Sequence, residues 1–139
     1  RMYVYRALTS DFSMPAQLVE PARLIEKDIQ DCITRFNQGK EDINGRWYWE
    51  FVSKYRVKST AVTMISFLNP TRTCLIVNID GDVASVSARC QDRHEDMNLL
   101  LRKLTTGFQN ADAGGHIPAA GAHFPLENLQ EFKRRLATL

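Results

Sequence analysis

The 139-residue sequence has no apolar run near the roughly 18 residues of a membrane-spanning helix, and no secretory signal is recognisable in it. The expectation is a cytoplasmic protein without a membrane partner. Its three cysteines, Cys32, Cys74 and Cys90, include no Cys-x-x-Cys spacing. An odd count without a pairing pattern argues against a disulfide scaffold and suits a reducing compartment. Seven glycines and five prolines, in a chain that is 44% hydrophobic and 24% charged, exclude collagen-like and low-complexity chains. Internal repeats and a clear interdomain linker are missing too. What remains is one globular domain, or one domain with an appendage. A chain near 150 residues buries about 70% of its unfolded surface, enough for a real core.

Charge of one sign is scarce overall, with a net of +2, but it is unevenly spread. Residues 1–45 carry 6 basic and 7 acidic groups, residues 46–72 carry 5 and 1, and residues 73–139 carry 7 and 8. The basic middle stretch also holds Trp47, Tyr48, Trp49, Phe51 and Tyr55. Two readings stand. Lys and Arg interleaved with rings suit a nucleic-acid surface. The alternation of Trp47, Trp49 and Phe51 equally suits the buried face of a strand.

Periodicity orders the rest. Residues 2–8 read as a short strand or a ragged end. Ser13-Met14-Pro15 resembles a helix start. Leu18, Ala22, Ile25, Ile29, Ile33 and Phe36 form one stripe of an amphipathic helix, which starts either there or near Glu20 with Pro21 in its first turn. Asn37-Gln38-Gly39-Lys40 stops it. Asn44-Gly45 marks a turn before the aromatic strand 46–52. A short helix capped by Ser59 or Thr60 buries Ala61, Met64, Ile65 and Leu68. Strands 73–79 and 82–90 flank the hairpin signal Asp80-Gly81. Asp92 and Glu95 resemble a capping box for a helix carrying Met97, Leu100, Leu101 and Leu104. Residues 107–121 read as a Gly- and Ala-rich loop, 122–125 as a last strand. A closing helix turns Leu126, Leu129, Phe132 and Leu136 inward. Its Glu127 and Glu131 precede Lys133, Arg134 and Arg135, the order its dipole favours. The basic tail is therefore explained without nucleic acid. The fold class is α/β or α+β: a small mixed sheet flanked by helices.

Two segments carry candidate chemistry. In strand 82–90, Ala84, Val86, Ala88 and Cys90 point to one face and Val83, Ser85, Ser87 and Arg89 to the other. Hydroxyls and a guanidinium together suit an oxyanion, as they also suit a solvated strand surface. In Ala113-Gly114-Gly115-His116-Ile117-Pro118-Ala119-Ala120-Gly121, paired glycines let backbone donors and a ligand approach. His116 follows them as a donor. A tight turn explains two glycines equally well.

The whole string resembles the GGHxxAAG signature of the DHH-associated domain, found C-terminal to the catalytic domain of DHH-type phosphoesterases such as RecJ-like exonucleases and nanoRNases. The resemblance runs through about residues 47–139. Ser87-Ala88-Arg89 matches its Ser-x-Arg element, and 97–104 matches the helix before the loop. Ala113 stands where many members have a further glycine, and Gln109-Asn110-Ala111-Asp112 is an extra stretch.

The resemblance implies substrate recognition rather than bond breaking. Ser87, Arg89, Gly114, Gly115 and His116 would bind the phosphate of a nucleotide or a short single-stranded nucleic acid. It places manganese and the catalytic residues in a preceding domain, with no cofactor, metal ligand or catalytic residue here. This chain has no Asp-His-His string, and His94, His116 and His123 form no two-metal pattern with its acids. Residues 93–96 read as solvated surface, and His123 as packing or surface. Residues 1–45 are expected to be a connector or the end of that catalytic domain, and 46–139 the DHH-associated domain. Arg1 as first residue fits a fragment. DNA ends, short RNA, pAp and cyclic dinucleotides all fall within this expectation. The alternative is a non-catalytic RNA-binding module like the C-terminal domain of alanyl-tRNA synthetases. A homodimer built on the 15–36 helix is a third.

Overall fold

A computed structural model describes residues 16–52 and 58–139. The strand expected over 2–8, the Ser13–Pro15 helix start and Tyr55 lie outside the described residues. Helix α1 (Ala16–Gly39) is followed by β1 (Glu41–Ile43) and β2 (Arg46–Val52), then α2 (Lys58–Leu68). Strands β3 (Cys74–Asp80) and β4 (Val83–Arg89) lead into α3 (Met97–Thr105). The hairpin β5 (Asp112–His116) and β6 (Ala119–Pro125) precedes a 3₁₀ turn (Leu126–Asn128) and α4 (Leu129–Thr138). The sheet order is β1-β2-β3-β4-β6-β5. Among the described strands only β2 and β3 run parallel, and α2 is the crossover such a pair requires. The result is the α+β fold with a mixed, helix-flanked sheet that the periodicity predicts. No helix among the described residues is long and apolar enough to cross a membrane.

Each face of the sheet has its own core. On one side Leu75, Val77, Ala84, Val86, Ala88 and Ala122 pack against Met97, Leu101 and Leu104 of α3 and Phe132 and Leu136 of α4. On the other, Trp49, Phe51, Cys74 and Ile76 pack against Cys32 and Phe36 of α1 and Ala61, Val62 and Ile65 of α2. Strand β2 is thus buried on both faces. Trp49 and Phe51 stack at 4.7 Å on one side, and Tyr48 is sealed on the other. The cations near the rings belong to the fold: Lys40 and Arg72 lie 4.9 and 5.3 Å from the Trp47 ring, and Lys133 lies 5.2 Å from Tyr48. All three cysteines are buried and free.

Several local expectations give way to tertiary structure. The Asn44-Gly45 turn closes a hairpin, both residues having positive φ (52° and 82°), so β1 joins the sheet before residue 46. Helix α1 runs through Pro21, which has no N–H to offer the Gln17 carbonyl. Its stripe is covered only toward the C-terminal end: Phe36 is buried, while Ile25 is 54% exposed. A 24-residue helix is about 36 Å long, more than the roughly 23 Å of a seven-residue strand, so it overshoots the sheet. Helix α2 buries Ala61, Val62, Ile65 and Ser66 and leaves Met64 and Leu68 outside, and Ser59 lies inside the helix rather than capping it. The cap of α3 is Asp96, accepting from the Leu99 N–H at 3.0 Å, not Asp92. The basic tail is engaged by the fold as expected. Glu131 takes both Arg134 and Arg135, Lys133 pairs with Glu41, and Arg135 also donates to the Leu104 and Thr106 carbonyls at the end of α3.

Glu95, expected at a solvated surface, instead accepts from Nε and Nη2 of Arg46, the shortest contact being 2.6 Å. Thr73 Oγ1 donates to it at 3.0 Å. Burial alone raises the Glu95 pKa, but the Arg46 guanidinium and Thr73 hydroxyl more than offset this and hold it below the ordinary carboxylate value. A carboxyl whose folded pKa is depressed adds stability above its unfolded pKa and loses it as pH falls through the folded one. Glu95→Gln is expected to destabilise the fold at neutral pH by about 1.5–3 kcal/mol, the range for hydrogen bonds to charged groups. It should also flatten the acid limb of the stability curve. Denaturant melts of both proteins from neutral to acid pH check this; parallel curves would contradict it.

Candidate functional site

The register of the hairpins decides which side chains share the face on which α2 lies. Ser87 stands between Ile76 and Gly121, and Gly121 pairs onward with Gly114. Arg89 stands between Cys74 and Ala119, and Ala119 pairs onward with His116. Ser85 faces His123, which pairs with Asp112. Cys74 and Ile76 belong to the α2 core, so all three rows lie on that face. Helix α2 packs on β3 and β4. Beyond its edge the floor is Ala119, Gly121 and Gly114, with His116, His123 and Asp112 exposed along it.

Arg89 marks the border between the helix and this shelf. Its Nε donates to Thr63 Oγ1 at 3.3 Å, its Nη2 to Ser59 Oγ at 3.2 Å and its Nη1 to the Ala88 carbonyl at 2.9 Å. Among the described residues no carboxylate lies within ion-pair distance of it. Burial lowers the Arg89 pKa from its ordinary value, though arginine stays protonated at any physiological pH. A half-buried cation held by neutral oxygens still has its charge to share with an anion. The Ser87 hydroxyl, on the next row, has no side-chain hydrogen bond among the described residues. Ser85, the second hydroxyl of that face, is within 2.9 Å of His123 Nδ1.

The stretch 112–121, expected as a loop, is a two-strand hairpin. Its turn is fastened from outside: the Ile117 carbonyl accepts from Met97 N–H and the Pro118 carbonyl from Cys90 N–H, both at 3.0 Å. Consecutive N–H groups of a strand point to opposite sides, so Gly114 and Gly115 do not present converging donors. They have separate roles. Gly115 has φ 147°, and a Cβ there would lie 2.5 Å from both the Ala119 oxygen and the Ala120 Cα. A Cβ on Gly114 would meet nothing within 4 Å, and one on Gly121 only the Val86 oxygen at 3.5 Å. Gly115 serves the fold, whereas Gly114 and Gly121 keep the shelf bare. His116 is exposed at the end of β5, across Ala119 from Arg89. Two strand spacings put the Arg89 and His116 backbones roughly 10 Å apart, so the two side chains flank the shelf.

The Ser59 and Thr63 contacts are absent from the sequence reading. Their i, i+4 spacing puts both on one helix face, but nothing local links them to a guanidinium 26 and 30 residues away. The Cys90-x-Asp92-x-His94 cluster is likewise unread. It is visible as a spacing of two, but becomes a cluster only through the turn that follows β4.

No family model and no curated protein matches the sequence. Solved structures do. RecJ from Thermus thermophilus, in complex with Mn2+, matches with a TM-score of 0.63 at 17% identity, over 99% of this chain and 21% of that one. PggH, a pGpG-specific phosphodiesterase from Vibrio cholerae, matches at 0.60 and 13% identity, over 99% of this chain and 48% of that one. The DHH domain of a protein grouped with a family of ribosomal proteins matches at 0.55 and 16%, over 88% and 33%. The fold is therefore one that occurs within DHH-domain proteins. The chain spans from about a fifth to about a half of their length. A manganese pair does not fit the residues here. Among the described residues the only metal-capable group is Cys90, Asp92 and His94, and sulfur is too soft a ligand for that ion.

The two glycines give a direct test of this division. Gly115→Ala is expected to cost on the order of 3 kcal/mol, because it adds a backbone clash at a strained φ. Gly114→Ala should be neutral or stabilise by up to about 1 kcal/mol, since alanine gives up less entropy in a strand. Chemical denaturation of both variants measures the difference. Equal losses would mean that Gly114 is also structural.

Proposed function

We propose that this chain is the substrate-recognition part of a larger DHH-type phosphoesterase. It holds the phosphate of a nucleotide, or of the end of a short single-stranded nucleic acid, on the shelf beside α2. Arg89 is the main anion ligand, with Ser87 beside it and His116 reaching from the far side. Gly114 and Gly121 leave room for sugar or base to lie on the sheet, and Gly115 holds the hairpin that carries His116. Ser59 and Thr63 aim the guanidinium. Hydrolysis of the phosphoester, and the manganese expected for it, belong to a catalytic domain that this chain would serve by positioning the substrate. The observation that carries the reading is Arg89: a half-buried guanidinium fixed by two hydroxyls and a carbonyl, without a carboxylate among the described residues, beside a glycine floor.

Titration of the 139-residue chain with dinucleotides and short oligonucleotides, with and without a terminal phosphate, tests it. Arg89→Ala should weaken phosphate-dependent binding by about 1.5–3 kcal/mol. Arg102→Ala should leave it unchanged, because Arg102 is exposed on α3 and bonded to Asn98 on the opposite side of the sheet. Gly114→Val should lower affinity while preserving the melting temperature, since its side chain would occupy the shelf and not the core. His116→Ala should do the same more weakly. Identical behaviour of Arg89→Ala and Arg102→Ala would remove the site. Tight binding of structured RNA that ignores Arg89→Ala would replace this reading with a non-catalytic RNA-binding module.

A further inference from the structure

We infer that Cys90, Asp92 and His94 form a binding site for one divalent ion of the zinc class, at the turn where β4 passes into α3. Their ligand atoms converge. Cys90 Sγ is 3.3 Å from Asp92 Oδ1 and 3.4 Å from His94 Nδ1, and these two are 2.5 Å from each other. Metal–sulfur bonds of about 2.3 Å and metal–nitrogen or –oxygen bonds of about 2.0 Å give tetrahedral edges of roughly 3.5 Å to sulfur and 3.3 Å between the lighter atoms. The sulfur edges already match. The Asp92–His94 edge must open by less than about 1 Å to reach that geometry, which rotation of these two surface side chains supplies. His94 is 50% exposed, leaving the fourth position to water.

The surroundings fix which imidazole nitrogen faces the cluster. Thr73 Oγ1 donates its proton to Glu95 Oε2, so toward His94 Nε2, 3.3 Å away, it can only accept. Nε2 therefore donates to Thr73, which leaves Nδ1 as the ring atom facing Asp92 and Cys90; the short Nδ1–Asp92 contact holds a proton that an ion would displace. Arg46 holds Glu95 in turn. This is the outer hydrogen bonding that orients metal-binding histidines. The turn is pinned at several points: Asp92 N–H donates to the Pro70 carbonyl, Gln91 to Ser66 Oγ, and Arg93, at φ 58°, closes back on the Cys90 carbonyl.

A thiol–imidazole–carboxylate group also suggests a nucleophile, but the geometry opposes it. Such a relay uses the two ring nitrogens for the two partners, whereas here sulfur lies nearer the nitrogen that meets the carboxylate, 3.4 Å from Nδ1 against 4.0 Å from Nε2. Three ligand atoms gathered within 3.4 Å of one another suit a cation, the imidazole turning to aim its Nδ1 lone pair between sulfur and carboxylate. Sulfur, nitrogen and oxygen ligands together suit zinc rather than magnesium, calcium or manganese. The ion would join the end of β4 to the start of β3 through Thr73 and to β2 through Arg46, a structural clamp on the strand that carries Arg89.

The experiment uses the 139-residue chain, reduced and stripped of metal, with cobalt(II) as the spectroscopic probe and zinc as competitor. The expected result is a saturable thiolate-to-cobalt charge-transfer band that zinc displaces. Cys90→Ser should abolish it, and Cys32→Ser and Cys74→Ser should retain it. Asp92→Asn and His94→Gln, which leave the core intact, should each weaken binding by at least about tenfold. They keep the test decisive even if Cys90→Ser does not fold. The inference is overturned by absence of the band at saturating cobalt, by its persistence in Cys90→Ser, or by unchanged affinity in both Asp92→Asn and His94→Gln.

Discussion

A slip of one residue in the pairing of β4 would exchange its two faces. Ala84, Val86 and Ala88 would leave the core beneath α3 and α4, and Ser85, Ser87 and Arg89 would enter it. Side chains alternate with a period of two, so a one-residue slip inverts the strand. Burial of these small apolar groups therefore fixes the register, and the register alone puts Arg89 on the α2 side. The partners agree from both directions. Strand β3 sets Leu75 and Val77 opposite Ala88 and Val86, and β6 sets Ala120 and Ala122 opposite the same two residues. The placing of Ser87 and Arg89 is a by-product of that packing.

The same constraint explains why, among the described residues, one face of the sheet is thick and the other partly bare. Among the described residues helix α3 covers the β4-β6-β5 end of one face, with α4 beside it over Tyr48 and Phe124, while on the other face α1 lies against β2 and α2 against β3 and β4. An uncovered sheet surface usually carries side chains that tolerate water. Here it carries Gly121, Gly114 and Ala119 between polar residues, which lowers the floor instead of solvating it. That choice makes sense if something flat or closely approaching lies there. The edge of the shelf is equally particular. Ser59 and Thr63 hold the Arg89 guanidinium by neutral oxygens, so among the described residues its charge is positioned without being cancelled.

The turn after β4 gathers a second group of polar side chains. Thr73, Glu95 and Arg46 form a chain of hydrogen bonds that ties the starts of β3 and β2 to the segment entering α3. Cys90, Asp92 and His94 lie against that chain. A segment without regular structure is thereby tied to the strands around it, and it in turn fastens the β5–β6 turn through the Cys90 N–H.

Local pattern was enough for the helices of the C-terminal half, the β3–β4 hairpin, the two-faced character of β4 and the fold class, because each depends on periodicity or on a two-residue turn. The Ser-x-Arg and Gly-Gly-His strings marked Ser87, Arg89, Gly114, Gly115 and His116 as one set without the means to say how they meet. Pairing across strands decided that, placing β5 where a loop was expected and giving the two adjacent glycines different duties. Tertiary contacts also overruled the sequence reading of Glu95, whose partner Arg46 is 49 residues away. They overruled the α2 face too, because that helix packs against a sheet already built from distant strands. Neither Ser59 and Thr63 as the supports of Arg89 nor Thr73 as the support of His94 could be read from their neighbours. A hydrogen bond between residues remote in the chain leaves no periodicity behind, and only the folded register brings such partners within reach.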